Sequence, residues 1–258
     1  MTVVAVHKNP QGIHLISDSR LTIGSSKIDV GVKVCAIDYR IFGARNPDGT
    51  QPELATGRFG FCFAGSSLTA YAVKESIAEI VYNIQTTIDK RLLSFRHLSE
   101  IVFDAYVALS TEIASYLSKN SFATIVICGK LPADNEPRAF WLKLRDDGSV
   151  DSSEVDFQQS NSTIFGSGEK FIDKDKREGL GALAHEINRI CNDGSVDDVG
   201  PPIQFGRCDS QGNFKCFGQI IIDDNGVQHA RAGIDLNNLN SIRSGTFNPL
   251  FEYIELSD

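Results

Sequence analysis

The 258-residue sequence is 41% hydrophobic and 22% charged, an ordinary composition for a folded chain, which excludes a disordered, coiled-coil or collagen-like protein. Its formal net charge of −8, without any basic block, argues against nucleic acid or an anionic membrane as the main partner. No stretch approaches the roughly 20 apolar residues of a membrane span. The first residues lack the features of a secretory signal, so we expect a protein of the cytoplasm.

Turn chemistry and periodicity divide the first half of the chain into strands followed by two helices. A turn sequence, Asn-Pro-Gln-Gly at 9–12, separates the first two strands and predicts a hairpin. A polar stretch over 39–57, rich in Gly, Pro and Asn, predicts a surface loop. The predicted strands lie at 2–7, 13–16, 33–37 and 58–64, and apolar residues at helical spacing predict helices over 68–84 and 98–117.

The second half predicts further strands around one helix. Residues 233–258 are polar as far as Phe247–Ile254, which we interpret as a docking tail. Strands and helices in blocks indicate an α+β layer design. We find no repeat or linker, and therefore expect one domain over 1–258, with a core at 2–232 and an extension at 233–258. The predicted strands lie at 122–128, 139–144, 161–165, 202–207, 214–222 and 227–232, and the predicted helix at 178–191.

The cysteines and histidines give no sign of a metal or a disulfide framework. The six cysteines form no CxxC pair, and most of them lie in apolar, strand-like runs, which is typical of reduced, buried thiols. The five histidines are scattered and form no HExxH motif. We expect no metal and no other cofactor.

Thr2 is the most informative position for chemistry. Removal of Met1 exposes a threonine whose hydroxyl and free α-amine belong to one residue. An α-amine titrates near pH ~8, which suits a general base at neutral pH. A threonine that uses its own amine as base is an established nucleophile for acyl transfer. Threonine is common at this position, so its context must decide.

Three later residues supply that context. The return strand of the predicted hairpin ends before Asp18, which brings its carboxyl back towards Thr2. Lys33 opens the next strand, where its ammonium could stabilise developing negative charge. Gly65 ends a strand, and its N–H could bind an oxyanion. Each has a simpler interpretation: Asp18 as a turn carboxylate, Lys33 as a solvated edge residue, and Gly65 as a glycine at a helix entry.

Together these segments resemble a known family. Thr2, the SDSR segment at 17–20, Lys33, FAGSS at 63–67 and FGSG at 165–168 resemble the proteasome β-subunit family of N-terminal-nucleophile hydrolases. The pattern looks closest to the bacterial HslV and Anbu branches, and covers roughly residues 2–210. The resemblance implies a four-layer αββα sandwich and a homo-oligomeric ring or spiral. It also leaves room for an unfoldase partner.

The resemblance assigns roles residue by residue. A Thr–Asp–Lys group carries the catalysis, a glycine N–H binds the oxyanion, and a serine of a later G-S-G turn lies near the threonine amine. The implied catalytic residues are Thr2, Asp18, Lys33, Gly65 and Ser167, and the implied substrate pocket is lined by Leu21, Phe63 and Ser67.

The sequence also departs from the family pattern. The family's D-x-x-S-G-G segment is replaced by DDVGPP at 197–202, which leaves open whether Asp197 or Asp198, if either, supports the threonine amine. The stretches 39–57 and 233–258 have no counterpart that we can place. We therefore expect a threonine-type peptidase or amide hydrolase acting on a peptide or protein substrate. The alternative is a catalytically silent assembly subunit.

Overall fold

A computed structural model describes residues 2–23, 26–173, 175, 178–193, 196–197, 199–223, 226–231, 234–239, 244 and 251–255. Met1, Asp198 and most of the predicted docking tail lie outside these residues. The predictions made for them therefore stay predictions.

The described residues form short and long strands together with three α-helices. In chain order the strands are β1 (Val4–Asn9), β2 (Gly12–Ser17), β3 (Leu21–Ile23), β4 (Ser26–Ile28), β5 (Val34–Phe42), β6 (Glu53–Gly65), β7 (Ile84–Gln85), β8 (Ala123–Gly129), β9 (Arg138–Leu144), β10 (Val150–Glu154), β11 (Ser162–Phe165), β12 (Gln204–Asp209), β13 (Phe214–Asp223), β14 (Gly226–Arg231), β15 (Ile234–Asp235) and β16 (Tyr253–Glu255). The helices are α1 (Ser67–Val81), α2 (Phe95–Leu117) and α3 (Leu180–Asp193).

The strands make two main sheets. In the first sheet the order is β11-β1-β2-β12-β13-β14-β15, with β16 added parallel to β13. In the second sheet the order is β10-β9-β8-β6-β5-β7. The short strands β3 and β4 pair with each other. The predicted α+β class is confirmed.

Three apolar clusters show which faces pack together. One cluster joins β6 and β8 to α1 and α2, and includes Phe63, Val73 and Val102. A second joins β1, β2 and β12 to α3, and includes Ile16 and Ile187. A third holds residues of both sheets, such as Val4 and Val126. Strands β1 and β2 are thus covered on both faces, which explains why they are apolar without alternation.

Phe214 fills the space between the two sheets. Its side chain is 1% exposed, and its ring lies against two glycines, Gly60 on β6 and Gly206 on β12. A Cβ added at Gly60 would lie 2.2 Å from the Cε2 atom of Phe214, and a Cβ added at Gly206 would lie 2.3 Å from its Cζ atom. Both glycines are therefore required by the thickness of the ring.

The predicted surface loop over 39–57 is wrong at both ends. β5 continues to Phe42, and β6 begins at Glu53, so the connection covers only residues 43–52. Polar residues of the predicted loop pair across the two strands, since Arg40 of β5 forms an ion pair with Glu53 of β6 at 3.0 Å.

Other boundaries moved by a few residues, and some short strands were missed. α1 ends at Val81 because the chain turns into β7, and α2 begins at Phe95 behind a capping box formed by Ser94 and His97. The hairpin of β3 and β4 and the strand β10 were not predicted. Part of the predicted docking tail, Tyr253–Glu255, adds a strand to β13. Of the helices within the described residues, none combines the length and apolarity needed to cross a membrane.

The fit of Phe214 predicts that Gly60→Ala is destabilising. The added methyl group meets a fully buried ring on the opposite sheet, and overpacking of this kind costs roughly 1–3 kcal/mol. The control is Gly181→Ala in α3, where an added Cβ meets nothing within 4 Å and alanine favours the helix. Urea unfolding should show a loss for Gly60→Ala and no loss for Gly181→Ala. Equal stability of the two variants would show that the sheets can separate at no cost.

Two buried histidines near the turn of the β1–β2 hairpin make the stability of the protein depend on pH. His7 and His14 lie opposite each other, 2% and 5% exposed, with ring centroids 6.2 Å apart. His7 is hydrogen-bonded to Ser162 and His14 to Asn9. Burial, together with the charges of His7 and Arg207, lowers the pKa of His14 from 6.5 to about 4.

The unfolded chain therefore binds a proton on His14 near pH 6.5, whereas the folded chain does so only near pH 4. In this window the unfolded state holds more protons, so stability falls as the pH falls, by on the order of 2–3 kcal/mol from this group. Between pH 7 and pH 4.5, we expect the free energy of unfolding of His14→Gln to fall by about 2 kcal/mol less than that of wild type, as measured by urea unfolding. The exposed His185 provides the control, His185→Gln, which should follow wild type.

Candidate active site

Thr2 lies just before β1, packed beneath the turn that follows β11. Its side chain is 2% exposed. Gly168 donates its N–H to the Thr2 carbonyl at 3.3 Å. A Cβ at Gly166, whose φ is +93°, would lie 2.1 Å from the same carbonyl oxygen. The G-S-G turn therefore fixes the backbone of Thr2, because only glycine permits both this φ and this approach.

Asp18 follows β2 and lies beside Thr2 because β1 and β2 pair antiparallel. Its carboxylate is fully buried and accepts three backbone N–H groups. Val3 donates to Oδ1 at 3.1 Å, while Arg20 and Gly200 donate to Oδ2 at 3.0 and 3.3 Å. This carboxylate is thus held by the chain on both sides of the hairpin and by the segment before β12.

Lys33 joins Asp18 to Thr2. The lysine lies one residue before β5 and is 0% exposed. Its ammonium donates to Asp18 Oδ1 at 2.9 Å and to Thr2 Oγ1 at 2.7 Å. The structure therefore brings the three residues of the predicted catalytic group into direct contact.

Burial acts on both charges of this pair. Burial raises the pKa of Asp18, opposed by the charge of Lys33 and by the hydrogen bonds from Lys33, Val3 and Arg20. Burial lowers the pKa of Lys33, opposed by the charge of Asp18. The charge of each partner thus opposes the shift that burial causes in the pKa of the other. Removal of one partner leaves a buried charge without compensation.

Gln204, at the start of β12, was missed by the sequence analysis. Its side chain is 1% exposed, and its Oε1 accepts the N–H of Lys33 at 3.0 Å and of Val34 at 3.1 Å. Its Nε2 donates to Ser19 Oγ at 2.7 Å and to the Gly31 carbonyl. Gln204 therefore places the backbone of Lys33 relative to the hairpin. A single glutamine in a predicted strand gives no signal of such a role.

Arg20 was noticed only as the end of the SDSR segment. Its guanidinium forms a two-pronged ion pair with Asp29 at 2.7 and 2.8 Å. It also donates to the carbonyls of Asp197 and Val199. Arg20 thus ties the segment before β12 to the chain that carries Asp18. The Arg–Asp pair gives this link two parallel bonds and hence a fixed orientation.

Asp197 and Asp198 are the two acidic candidates for supporting the threonine amine. The carboxylate of Asp197 is 80% exposed and pairs with Lys27 at 3.1 Å, which directs it to the surface. Asp198 lies outside the described residues. Ser167 is better placed, since it lies between the two glycines that touch residues 2 and 3. Its Oγ is buried and has no hydrogen-bond partner among the described residues.

Gly65 ends β6 beside Thr2 in a conformation that suits glycine. Its φ is +99°, and an added Cβ would lie 2.4 Å from the Phe122 carbonyl oxygen. Thr2, Gly65 and Ser167 line the same cavity, of about 560 Å³. The structure thus brings Gly65 and Ser167 to the predicted nucleophile.

The three residues predicted to line a substrate pocket lie on the other side of Gly65. Phe63 is 1% exposed and packs edge-on against Tyr71 of α1 at 5.4 Å. Leu21 packs against the same cluster, and Ser67 is the half-buried first residue of α1. None of the three lines the 560 Å³ cavity.

No protein-family model and no curated protein matches the sequence, whereas solved structures match the fold. A Gly-1 mutant of Anbu from Hyphomicrobium sp. strain MC1 is 16% identical, with a TM-score of 0.58, and the match covers 95% of this chain and 94% of that one. Anbu from Yersinia bercovieri, an ancestral beta-subunit, is 13% identical, with a TM-score of 0.54 and coverage of 79% and 80%.

A third match is a helical assembly of the Anbu complex from Pseudomonas aeruginosa. It is 13% identical, with a TM-score of 0.59, and the match covers 83% of this chain and 85% of that one. The structural neighbours of the chain are thus Anbu proteins. Because the sequence identity is low, these matches show a shared fold. At the level of the fold they confirm the predicted resemblance to the proteasome β-subunit family.

The buried pair predicts an unusual pH dependence for Lys33→Met. Without the ammonium, the pKa of Asp18, which burial raises, rises further. The folded variant then holds a proton on Asp18 that the unfolded chain, with a pKa near 3.9, releases. Relative to wild type, Lys33→Met therefore loses stability as the pH rises from 5 to 8.

Urea unfolding at the two pH values measures this difference. The control is Lys90→Met, which removes an exposed lysine and should show no such slope. A deficit for Lys33→Met that stays constant between pH 5 and pH 8 would mean that Asp18 remains ionised without its partner.

Proposed function

We propose that this chain, which has the Anbu fold, is a threonine-type N-terminal-nucleophile hydrolase that cleaves a peptide or related amide. Thr2 becomes the nucleophile when Met1 is removed. The observation that carries the proposal is the buried ammonium of Lys33, 2.7 Å from the Thr2 hydroxyl and held by Asp18 at 2.9 Å. A fully buried lysine directed at a hydroxyl has little structural purpose, since burying the charge costs several kcal/mol.

In the proposed reaction the Thr2 hydroxyl attacks the carbonyl carbon of the substrate and passes its proton to its own α-amine. An ester bond forms to Thr2 Oγ1, the amide C–N bond breaks, and the leaving nitrogen takes up the proton. Water then attacks the ester, which releases the acid and restores the hydroxyl. Lys33 offsets the negative charge that develops on Oγ1, and Asp18 keeps Lys33 in place.

Gly65 and Ser167 complete the proposed site. The Gly65 N–H binds the oxyanion, and this role is supported by the position of Gly65 on the wall of the cavity that Thr2 also lines. The Ser167 Oγ, which has no hydrogen-bond partner in the described part of the chain, is suited to accept a hydrogen bond from the freed amine of Thr2. That bond would orient the amine towards the hydroxyl.

The finer architecture belongs to the same proposal. The three apolar clusters support an αββα sandwich with α1 and α2 outside one sheet and α3 outside the other. Leu21, Phe63 and Ser67 would form the pocket for the acyl side of the substrate, and the contact of Phe63 with Tyr71 would close its floor.

The helical assembly of the Pseudomonas aeruginosa neighbour supports a homo-oligomer, as a ring or a spiral of identical subunits in the cytoplasm. An unfoldase partner would suit a protein substrate.

Intact mass spectrometry tests the nucleophile directly. The protein is treated with an electrophile selective for an N-terminal threonine, and we expect a species without Met1 that gains one adduct. Thr2→Ala should take up the reagent at least about 10³-fold more slowly, because it has no hydroxyl to acylate. Thr2→Ser retains a hydroxyl and should remain reactive.

A protein that lacks Met1 and still takes up no adduct would favour the silent assembly subunit. Labelling of Thr2→Ala at the rate of wild type would place the nucleophile elsewhere. The thermal transition of each variant shows whether it is folded.

A further inference from the structure

The cavity beside Thr2 lies on the side of Gly65 that faces away from the predicted acyl pocket. Successive residues of a strand point to opposite faces, so Phe63 faces the helices whereas Ala64 faces the other sheet. Ala64 lines the cavity and Phe63 does not. If the acyl part of a substrate lies against Leu21, Phe63 and Ser67, the cavity receives the part that leaves.

The far wall of this cavity is formed by two residues of β9. Trp141 and Lys143 lie on the same face of that strand, two residues apart. The half-buried indole packs against Phe165 at 6.0 Å, which fixes it as a flat apolar wall. Lys143 is exposed and stands nearer the mouth of the cavity, where it also lines the adjoining surface depression.

Lys143 is distinguished from its neighbours by its lack of a partner. The next basic residue on the chain, Arg145, forms an ion pair with Asp151, and the nearby Lys119 pairs with Asp146 at 2.9 Å. Within the described residues, Lys143 makes no ion pair and no hydrogen bond from its ammonium. Glu169 also lines the cavity, but it is engaged in a contact of its own. Among the described residues, the ammonium of Lys143 is thus a cation without a partner in the cavity that Thr2 also lines.

The strand register sets how far Lys143 lies across the cavity from the end of β6. Ala64 of β6 lies opposite Thr124 of β8, and Thr124 lies opposite Lys143 of β9. Two strand spacings place the Cα of Lys143 about 10 Å from that of Ala64. A lysine side chain covers about half of that distance, and one or two residues at ~3.5 Å each cover the rest.

We propose that the cavity binds a leaving group of one or two amino-acid residues whose terminal carboxylate pairs with Lys143. This inference rests on the proposed function of Thr2. The substrates would be peptides cut one or two residues before the C-terminus, or acyl amino acids, with Trp141 packing against the side chain of the departing residue. The volume of about 560 Å³ is that of a small-ligand site.

The test uses one hexapeptide library in two forms, with a free C-terminal carboxylate and with a C-terminal carboxamide. Mass spectrometry measures the release of one- and two-residue products. We expect wild type to cleave the free form with a kcat/KM about tenfold higher, mainly through KM, because the pairing acts on binding. Lys143→Gln should lose this preference, and Lys143→Arg should keep most of it.

The same-charge control is Lys90→Gln, an exposed lysine outside both of the cavities that Lys143 lines. Equal cleavage of the two library forms by wild type, or a preference that persists in Lys143→Gln, would overturn the inference. Labelling of Thr2 by the electrophile without release of short C-terminal products would overturn it while leaving the proposed nucleophile intact. Failure of Thr2 to label at all would remove the proposed function and this inference with it.

Discussion

The buried ion pair of Lys33 and Asp18 is the constraint on which the rest of the site depends. Taking two charges out of water costs several kcal/mol for each ion, and only good geometry with additional hydrogen bonds compensates for that cost. Here the carboxylate accepts hydrogen bonds from three backbone N–H groups and from the ammonium, and the ammonium also donates to the Thr2 hydroxyl. Loss of any of these hydrogen bonds leaves a buried charge without full compensation. The hairpin, the start of β5 and the segment before β12 are therefore held in one arrangement.

That arrangement explains residues which have no direct part in the proposed chemistry. Gln204 satisfies the N–H groups of Lys33 and Val34 with one oxygen and binds Ser19 with its amide nitrogen. Arg20 fixes the segment whose Gly200 N–H reaches Asp18. Both residues act on the backbone that carries the charges. Polar networks of this kind are costly when incomplete, because each buried group without a partner loses its hydration.

The sequence predicted the parts of this structure that local chemistry determines. The β1–β2 hairpin follows from its turn, the helices from their periodicity, and the group of Thr2, Asp18 and Lys33 from a family pattern. The parts of β5 and β6 that lie within 39–57 look like a loop because they are polar, whereas Arg40 and Glu53 pair across the two strands. Gln204 is distant from Lys33 in sequence and contacts it only through the fold. No local pattern predicts such a contact, and a cavity wall built from β9 and β11 is equally invisible before the strands are ordered.

The ordering of the strands also gives the candidate site two sides that are lined by different elements. At the end of β6, Phe63 belongs to the cluster under the helices and Ala64 to the space between the sheets, so Gly65 stands on the boundary. Its positive φ is a backbone conformation that residues other than glycine rarely adopt. In the proposed hydrolase, residues of α1 and β3 would shape one side, while Trp141 and Lys143 of β9 would shape the other. Selection for the acyl group and selection for the leaving group would then change separately, while the buried Lys33–Asp18 pair stays the same.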